Sequence, residues 1–214
     1  MGEEKKKMST GKKVLIGVGV YVVIAAVALA IISQTDSFKN AGTSASGGVA
    51  KVEEPKIAWK KAGMYKVGTD IQPGEYIIQP QGDAAYYAVS TDSSGSMESI
   101  VANDLIAGCP VYVTVRSGQY LTVQSAKFTE ADSYEARPSN PIKQGMYRVG
   151  RDIPAGEYKV TSAGMATYCA VQKDSFNTLG SILSNDALFD GSKYITVRDG
   201  QYLLIKDCTA VRVE

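Results

Sequence analysis

MYKVGTDIQPGEY at residues 64–76 returns as MYRVGRDIPAGEY at residues 146–158, and YVTVRSGQYL at residues 112–121 returns as YITVRDGQYL at residues 194–203. Both pairs sit 82 residues apart, and at that offset residues 63–128 align with residues 145–210 without a gap. Of those 66 positions, 29 are identical. Such agreement at a fixed period is the mark of a duplicated structural unit. The reading is two copies of one module, at residues 62–128 and 144–214. They are joined by a linker at residues 129–143 that carries Pro138, Asn140 and Pro141.

Within a copy, short runs rich in Val, Ile, Thr and Tyr are bounded by Gly, Pro, Asn and Asp, the pattern of strands between turns. In the first copy the strands are expected at residues 64–67, 75–79, 85–90, 111–116 and 119–128. Val111, Val113 and Val115 alternate with Tyr112, Thr114 and Arg116, a period of two. Ser117-Gly118 and Asp199-Gly200 read as two-residue hairpin turns, because Gly takes positive φ without steric cost. Met97, Ile100 and Val101 have helical spacing, so residues 96–105 and 178–188 are expected to hold a short helical turn or helix. Repeated short strands with turn punctuation favour an all-β, antiparallel sandwich or jelly-roll-like module. A unit of about 70 residues buries only about 60% of its unfolded surface, so mutual packing of the copies is one way to stabilise them.

The N-terminal quarter differs in kind. Residues 14–32, VLIGVGVYVVIAAVALAII, run nineteen residues without a charge. As a helix they would span about 28 Å, close to the hydrocarbon core of a bilayer, where a helix satisfies every backbone polar group. Lys5, Lys6, Lys7, Lys12 and Lys13 precede the run and only Lys39 follows closely. The expectation is one transmembrane helix in a plasma membrane, with residues 1–13 cytoplasmic and the modules extracellular. A cleaved signal peptide is the competing reading, since Ala28-Leu29-Ala30 is a small-x-small site, though it lies inside the run. Residues 33–51 are rich in Ser, Gly and Ala, and the segment 33–61 reads as a flexible linker.

The phrases VGTDIQPGEY and VGRDIPAGEY, each followed by a Tyr-rich strand and a closing GQYL, resemble a β-sandwich module of uncharacterised membrane-anchored and surface proteins of Gram-positive bacteria. The resemblance covers both repeats. It implies a cell-surface location and a sandwich fold, and it implies no catalytic residues.

Composition narrows the chemistry. The 214 residues carry a formal charge of +1 and no His. That removes Ser-His and Cys-His nucleophile pairs and His-ligated metals. A near-neutral balance argues against nucleic acid as the main partner.

Several constellations remain. Asp70/Glu75 and Asp152/Glu157 recur as carboxylate pairs, either acid/base or Ca²⁺ groups or turn-building residues. Asp92 with Asn103 and Asp104 is oxygen-rich, a metal loop or ordinary turn capping. Tyr86, Tyr168, Tyr112 and Tyr194, with the lone Trp59, are the candidate ligand-binding residues, an exposed aromatic row for sugar rings; the competing reading buries the rings in the core. Cys109, Cys169 and Cys208 do not recur between copies, and a Cys169–Cys208 disulfide is the candidate bridge. No cofactor is expected. The functional expectation is a membrane-anchored, non-enzymatic binding or scaffolding protein of the bacterial cell envelope. Its expected partners are the bilayer through residues 14–32 and a cell-wall polymer, glycan or other membrane protein. A sensor or accessory subunit of a membrane complex is the first alternative, and an envelope hydrolase the second.

Overall fold

The computed structural model describes residues 57–164, 167–188 and 191–213. The expected span at residues 14–32 and tether at residues 33–51 lie outside these. Among the described residues no helix is long and apolar enough to cross a membrane.

The described chain is all-β, in two sandwiches. In the first, a four-stranded antiparallel sheet in the order β1 (Gly63–Lys66), β6 (Tyr120–Gln124), β3 (Ala85–Ser90), β4 (Ile100–Ile106) faces a three-stranded sheet in the order β5 (Val111–Val115), β2 (Gly74–Pro80), β7 (Ala126–Glu130). The second repeats the plan. β8 (Gly145–Arg148), β13 (Tyr202–Lys206), β10 (Tyr168–Gln172) and β11 (Ile182–Ala187) make the four-stranded sheet. β12 (Ser192–Val197), β9 (Gly156–Ser162) and β14 (Cys208–Arg212) make the other. Inward-facing aliphatic and aromatic side chains of both sheets fill each core. Ile78, Leu121, Val123 and Phe128 lie in the first, Val160, Leu203 and Ile205 in the second. The sandwich expectation holds.

The repeated phrase builds the same turn twice. Gly68 and Gly150 take φ of 92° and 89°, and each amide donates to the carbonyl of Ile71 or Ile153. A Cβ at Gly68 would meet Ser117 Oγ at 2.9 Å, so glycine is needed there for conformation and for space. Asp70 Oδ2 accepts the Lys66 amide at 2.7 Å, and Asp152 Oδ2 accepts the Arg148 amide at 2.8 Å. The Tyr76 and Tyr158 hydroxyls close the phrase by donating to the carbonyls of Gln72 and Pro154.

Four expectations are corrected. Residues 96–105 hold a 3-10 turn of three residues, Met97–Ser99, and then strand β4; the second copy does the same at Leu179–Ser181 and β11. The helical spacing fails because Met97 and Val101 face solvent instead of sharing a buried stripe. Ser117-Gly118 is a corner and not a hairpin, since β5 and β6 belong to different sheets. There the Gly118 amide donates to Val67 O and the Val67 amide to Gln119 O. The single strand expected at residues 119–128 breaks at Ser125, whose φ of 53° swings the chain from one sheet to the other. Finally, β7 runs to Glu130 and a bridge joins Lys60 to Phe128, so the first sandwich takes residues from both flanking segments.

Candidate functional site

The two sandwiches pack on each other, and the richest polar chemistry of the described chain lies at their junction. The packing is head-to-tail. The first module presents the outer side of β5 and the start of β2; the second presents β8, β13 and the loop after β10. Val111, Val113 and Val115 point into the first core, so the alternation of β5 turns Tyr112 and Thr114 toward the second module.

Glu75 is the centre. Its Oε1 accepts the Tyr202 hydroxyl at 2.5 Å and the Ser175 hydroxyl at 2.5 Å. Its Oε2 receives Arg148 Nη1 at 3.3 Å. The Tyr112 hydroxyl donates to Asp152 Oδ2 at 2.8 Å, beside the bond that carboxylate already receives from its own turn. Burial raises the pKa of both phenols, and carboxylates facing them, Asp152 at Tyr112 and Glu75 at Tyr202, raise them further. Both hydroxyls are therefore held as donors. The backbone joins in: the Thr114 amide donates to Ser175 O at 2.8 Å, and Asn177 Nδ2 donates to Tyr112 O at 2.8 Å.

Around this cluster the contact is apolar. Met146, Tyr168, Ala170, Tyr202 and Leu204 of the second module belong to the first module's core cluster. Tyr112 and Tyr202 meet edge to face, centroids 5.7 Å apart. On the far side Lys206 Nζ bonds both oxygens of Asp104, at 2.7 and 2.5 Å. Burial pulls the Lys206 amine down to about 7 and pushes the Asp104 carboxyl well up. Their mutual contact offsets the cost of removing both charges from water. The connecting segment is strapped down by Arg151 Nη2, which donates to the carbonyls of Ala131 at 2.7 Å and Tyr134 at 2.6 Å. Under that strap lies a cavity of about 190 Å³ lined by Ile77, Pro110, Tyr112, Tyr134, Met146 and Tyr147, among others.

The residues expected to bind ligand do not form a row. Tyr86, Tyr168 and Tyr112 are buried and only Tyr194 is exposed. Tyr86 lies on the face of β3 opposite the core side chains Ala85, Tyr87 and Val89, with its hydroxyl accepting from Asn103 Nδ2, while Tyr168 and Tyr112 lie in the junction. Trp59 packs half-buried on the first core, edge to face with Tyr134 and under the Lys127 amine at 4.3 Å. Asp70 and Asp152 build turns in both copies. Glu75 works at the junction, while its counterpart Glu157 is exposed. Asp92 Oδ1 accepts the Ser94 amide, the turn-capping role. Among the described residues no three His, Cys, Asp or Glu side chains converge on a point where a metal would sit. The expected Cys169–Cys208 bridge is not formed. Cys109, Cys169 and Cys208 are all free and buried, with Cys169 and Cys208 held as thiol donors to backbone carbonyls.

Sequence reasoning missed Lys206, Ser175, Asn177 and Arg148. A signal existed where the copies differ. Position 111 is Val where position 193 is Lys, and Lys193 pairs with Asp186, the counterpart of Asp104. With no lysine of its own at that place, Asp104 takes Lys206, whose counterpart is Gln124.

Residues 57–125 match the model of a family described as Rv1352-like extracellular domain. The match covers most of the first module and ends at Ser125, where the chain changes sheet. It supports an extracellular, surface-type domain. No curated protein and no solved structure matches the chain.

Proposed function

We propose that this chain is a membrane-tethered, non-enzymatic protein of the bacterial cell envelope that displays a fused pair of β modules outside the cell and serves as a scaffold there. The observation that carries this reading is the use to which the junction puts its chemistry. Glu75, one of the recurring carboxylates considered for acid/base chemistry, is filled by three donors from the other module. Tyr112, one of the aromatic residues expected to bind ligand, is used with Tyr202 in the same contact. Groups satisfied in this way brace two modules and leave little free to transfer a proton. The cavity under the strap, at about 190 Å³, falls below the roughly 300–1,000 Å³ of sites that enclose an organic ligand. A larger cleft of about 460 Å³, lined by Asp132, Arg148, Arg151 and Asp199 among others, opens on the surface, so a polymer would bind on the outside. The tether follows from the nineteen apolar residues and the lysines before them, and the outward placement of the modules agrees with the family match.

Protease added to intact cells tests the arrangement. The expected result is loss of the modules with a fragment containing residues 1–13 retained inside; full protection of the modules overturns it. Incubating the full chain with purified envelope polysaccharide and peptidoglycan then tests the scaffold role. Retention on one of them, unaffected by Tyr194→Ala, is expected. Turnover of either polymer overturns the non-enzymatic reading.

A further inference from the structure

The junction is heterologous: one side of the first module meets a different side of the second. Because the modules are copies, each free end keeps the complement of what the junction has used. The second module repeats the face built on Glu75, Tyr112 and Thr114 as Glu157, Tyr194 and Thr196, all exposed. The first module repeats the face built on Met146, Arg148, Asp152, Ser175 and Tyr202 as Met64, Lys66, Asp70, Ser93 and Tyr120, exposed or half-buried.

We propose that a second copy of this chain docks here, the Glu157–Tyr194–Thr196 face of one copy seating on the Met64–Lys66–Ser93–Tyr120 face of the next, in the geometry the two modules already use inside one chain. The Glu75 and Tyr112 contacts each have a counterpart, while Gly95 stands where Asn177 donates to Tyr112 O. Glu157 would take the Tyr120 and Ser93 hydroxyls and the Lys66 amine, as Glu75 takes Tyr202, Ser175 and Arg148. Tyr194 would donate to Asp70, as Tyr112 does to Asp152. The edge of β12 would meet the loop of Ser93, as the Thr114 amide of edge strand β5 meets Ser175 O. Exposure marks the vacancy: Tyr112 is 0% exposed and Tyr194 56%, Met146 4% and Met64 48%. Two charges complement each other, an acidic Glu157 on one end and a basic Lys66 on the other. A heterologous contact does not close on itself by a two-fold axis, so the product is a chain or a ring of copies.

The contact between copies is the weaker of the two. In the internal junction Arg116 stacks over the Phe176 ring at 4.0 Å, and Leu204, Phe176 and Lys206 there correspond to Thr122, Ser94 and Gln124. Less apolar area and no Asp104–Lys206 pair make it reversible, while the internal junction, joined by a short connection, stays closed. This inference does not depend on the side of the membrane on which the modules lie.

Charge reversal tests it on the full chain in a fixed amount of mild detergent, by sedimentation over a range of protein concentrations. Wild type is expected to gain average mass as concentration rises. Glu157→Lys or Lys66→Glu alone sets like charges against each other and should weaken association by at least about tenfold. Glu157→Lys with Lys66→Glu in one chain restores it, and so does an equimolar mixture of the two single variants. Neither residue lies in a core, and an unchanged circular dichroism spectrum confirms the fold of each. A wild type that stays at one mass throughout overturns the proposal. So do single variants that associate as wild type does, the result expected if the apolar N-terminal run joins the copies.

Discussion

Lys206 reaches out of the second module and bonds both carboxylate oxygens of Asp104 in the first, across 102 residues of sequence. Both side chains are largely buried, with 14% and 10% of their surfaces exposed. Such a pair adds little net stability when intact but costs about 3–5 kcal/mol when one partner is removed, because the other charge is left stranded. Its value is orientation, since the pair is made only where the two modules bring Asp104 and Lys206 together.

Asp104→Asn should therefore make stability depend on pH in a particular direction. The Lys206 amine has a pKa near 10.5 in the unfolded chain and about 7 in the fold, lowered by burial. Below about pH 7 both states hold the proton. Between 7 and 10.5 the unfolded chain holds a proton that the folded chain has released, so stability rises with pH across this window. In wild type the Asp104 carboxylate lies against the amine and opposes loss of its proton. With Asn at 104 that opposition is gone. Urea denaturation of the variant at about pH 6.5 and pH 9 should give a higher midpoint at the alkaline pH and a steeper rise than wild type. A flat profile in the variant contradicts a buried amine at 206.

Tyr112 and Tyr194 offer a comparison within one molecule. They stand at the same repeat position in YVTVR and YITVR. Tyr112→Ala removes a buried ring and its bond to Asp152 and should cost about 3–5 kcal/mol. Tyr194→Ala should change monomer stability by no more than about 0.5 kcal/mol. Thermal melts at low protein concentration, where copies are apart, measure both. Equal losses would mean that the junction does not cover Tyr112.

That same pair shows how far the sequence could be read. Repeat, strand content and sandwich class were legible, because the 82-residue period and the period-two alternation are local signals. The turn role of Asp70 and Asp152 was legible as one of two readings. What covers the outer face of a strand is decided by a partner surface remote in sequence, and the near-identical phrases YVTVR and YITVR do not say which of Tyr112 and Tyr194 is enclosed. β4 was hidden for a related reason. Asn103 and Asp104 are poor strand residues by propensity, and Asp104 is tolerated there because Lys206 arrives from the other module.

Glu75→Ala should loosen the two modules from each other. It leaves the Tyr202 hydroxyl without its acceptor inside the contact, at about 1–3 kcal/mol, while Ser175 keeps Thr114 Oγ1 at 2.7 Å. Glu75 itself belongs to neither core cluster, so the substitution removes no core side chain. Differential scanning calorimetry is expected to turn one cooperative transition into two, with the second module melting apart from the first. A variant that still melts in a single transition at the wild-type temperature would mean that the Glu75 cluster does not couple the modules.

The three thiols give the last expectation. Burial pushes Cys109 and Cys208 up to about 12 and Cys169 up to about 11. At about pH 8 almost none of each is thiolate, and the thiolate is the reactive form. The folded chain should therefore resist a thiol-reactive dye for hours, while the same sample in guanidinium should take up three equivalents. If only one equivalent reacts after unfolding, a disulfide joins two of the cysteines in the material as isolated. If one thiol reacts at once in the folded chain, the sandwich around it opens far more readily than its packing implies. Cys109 is the residue to watch in that case, because it lies at the edge of the junction, just before the start of β5, the strand that carries Tyr112.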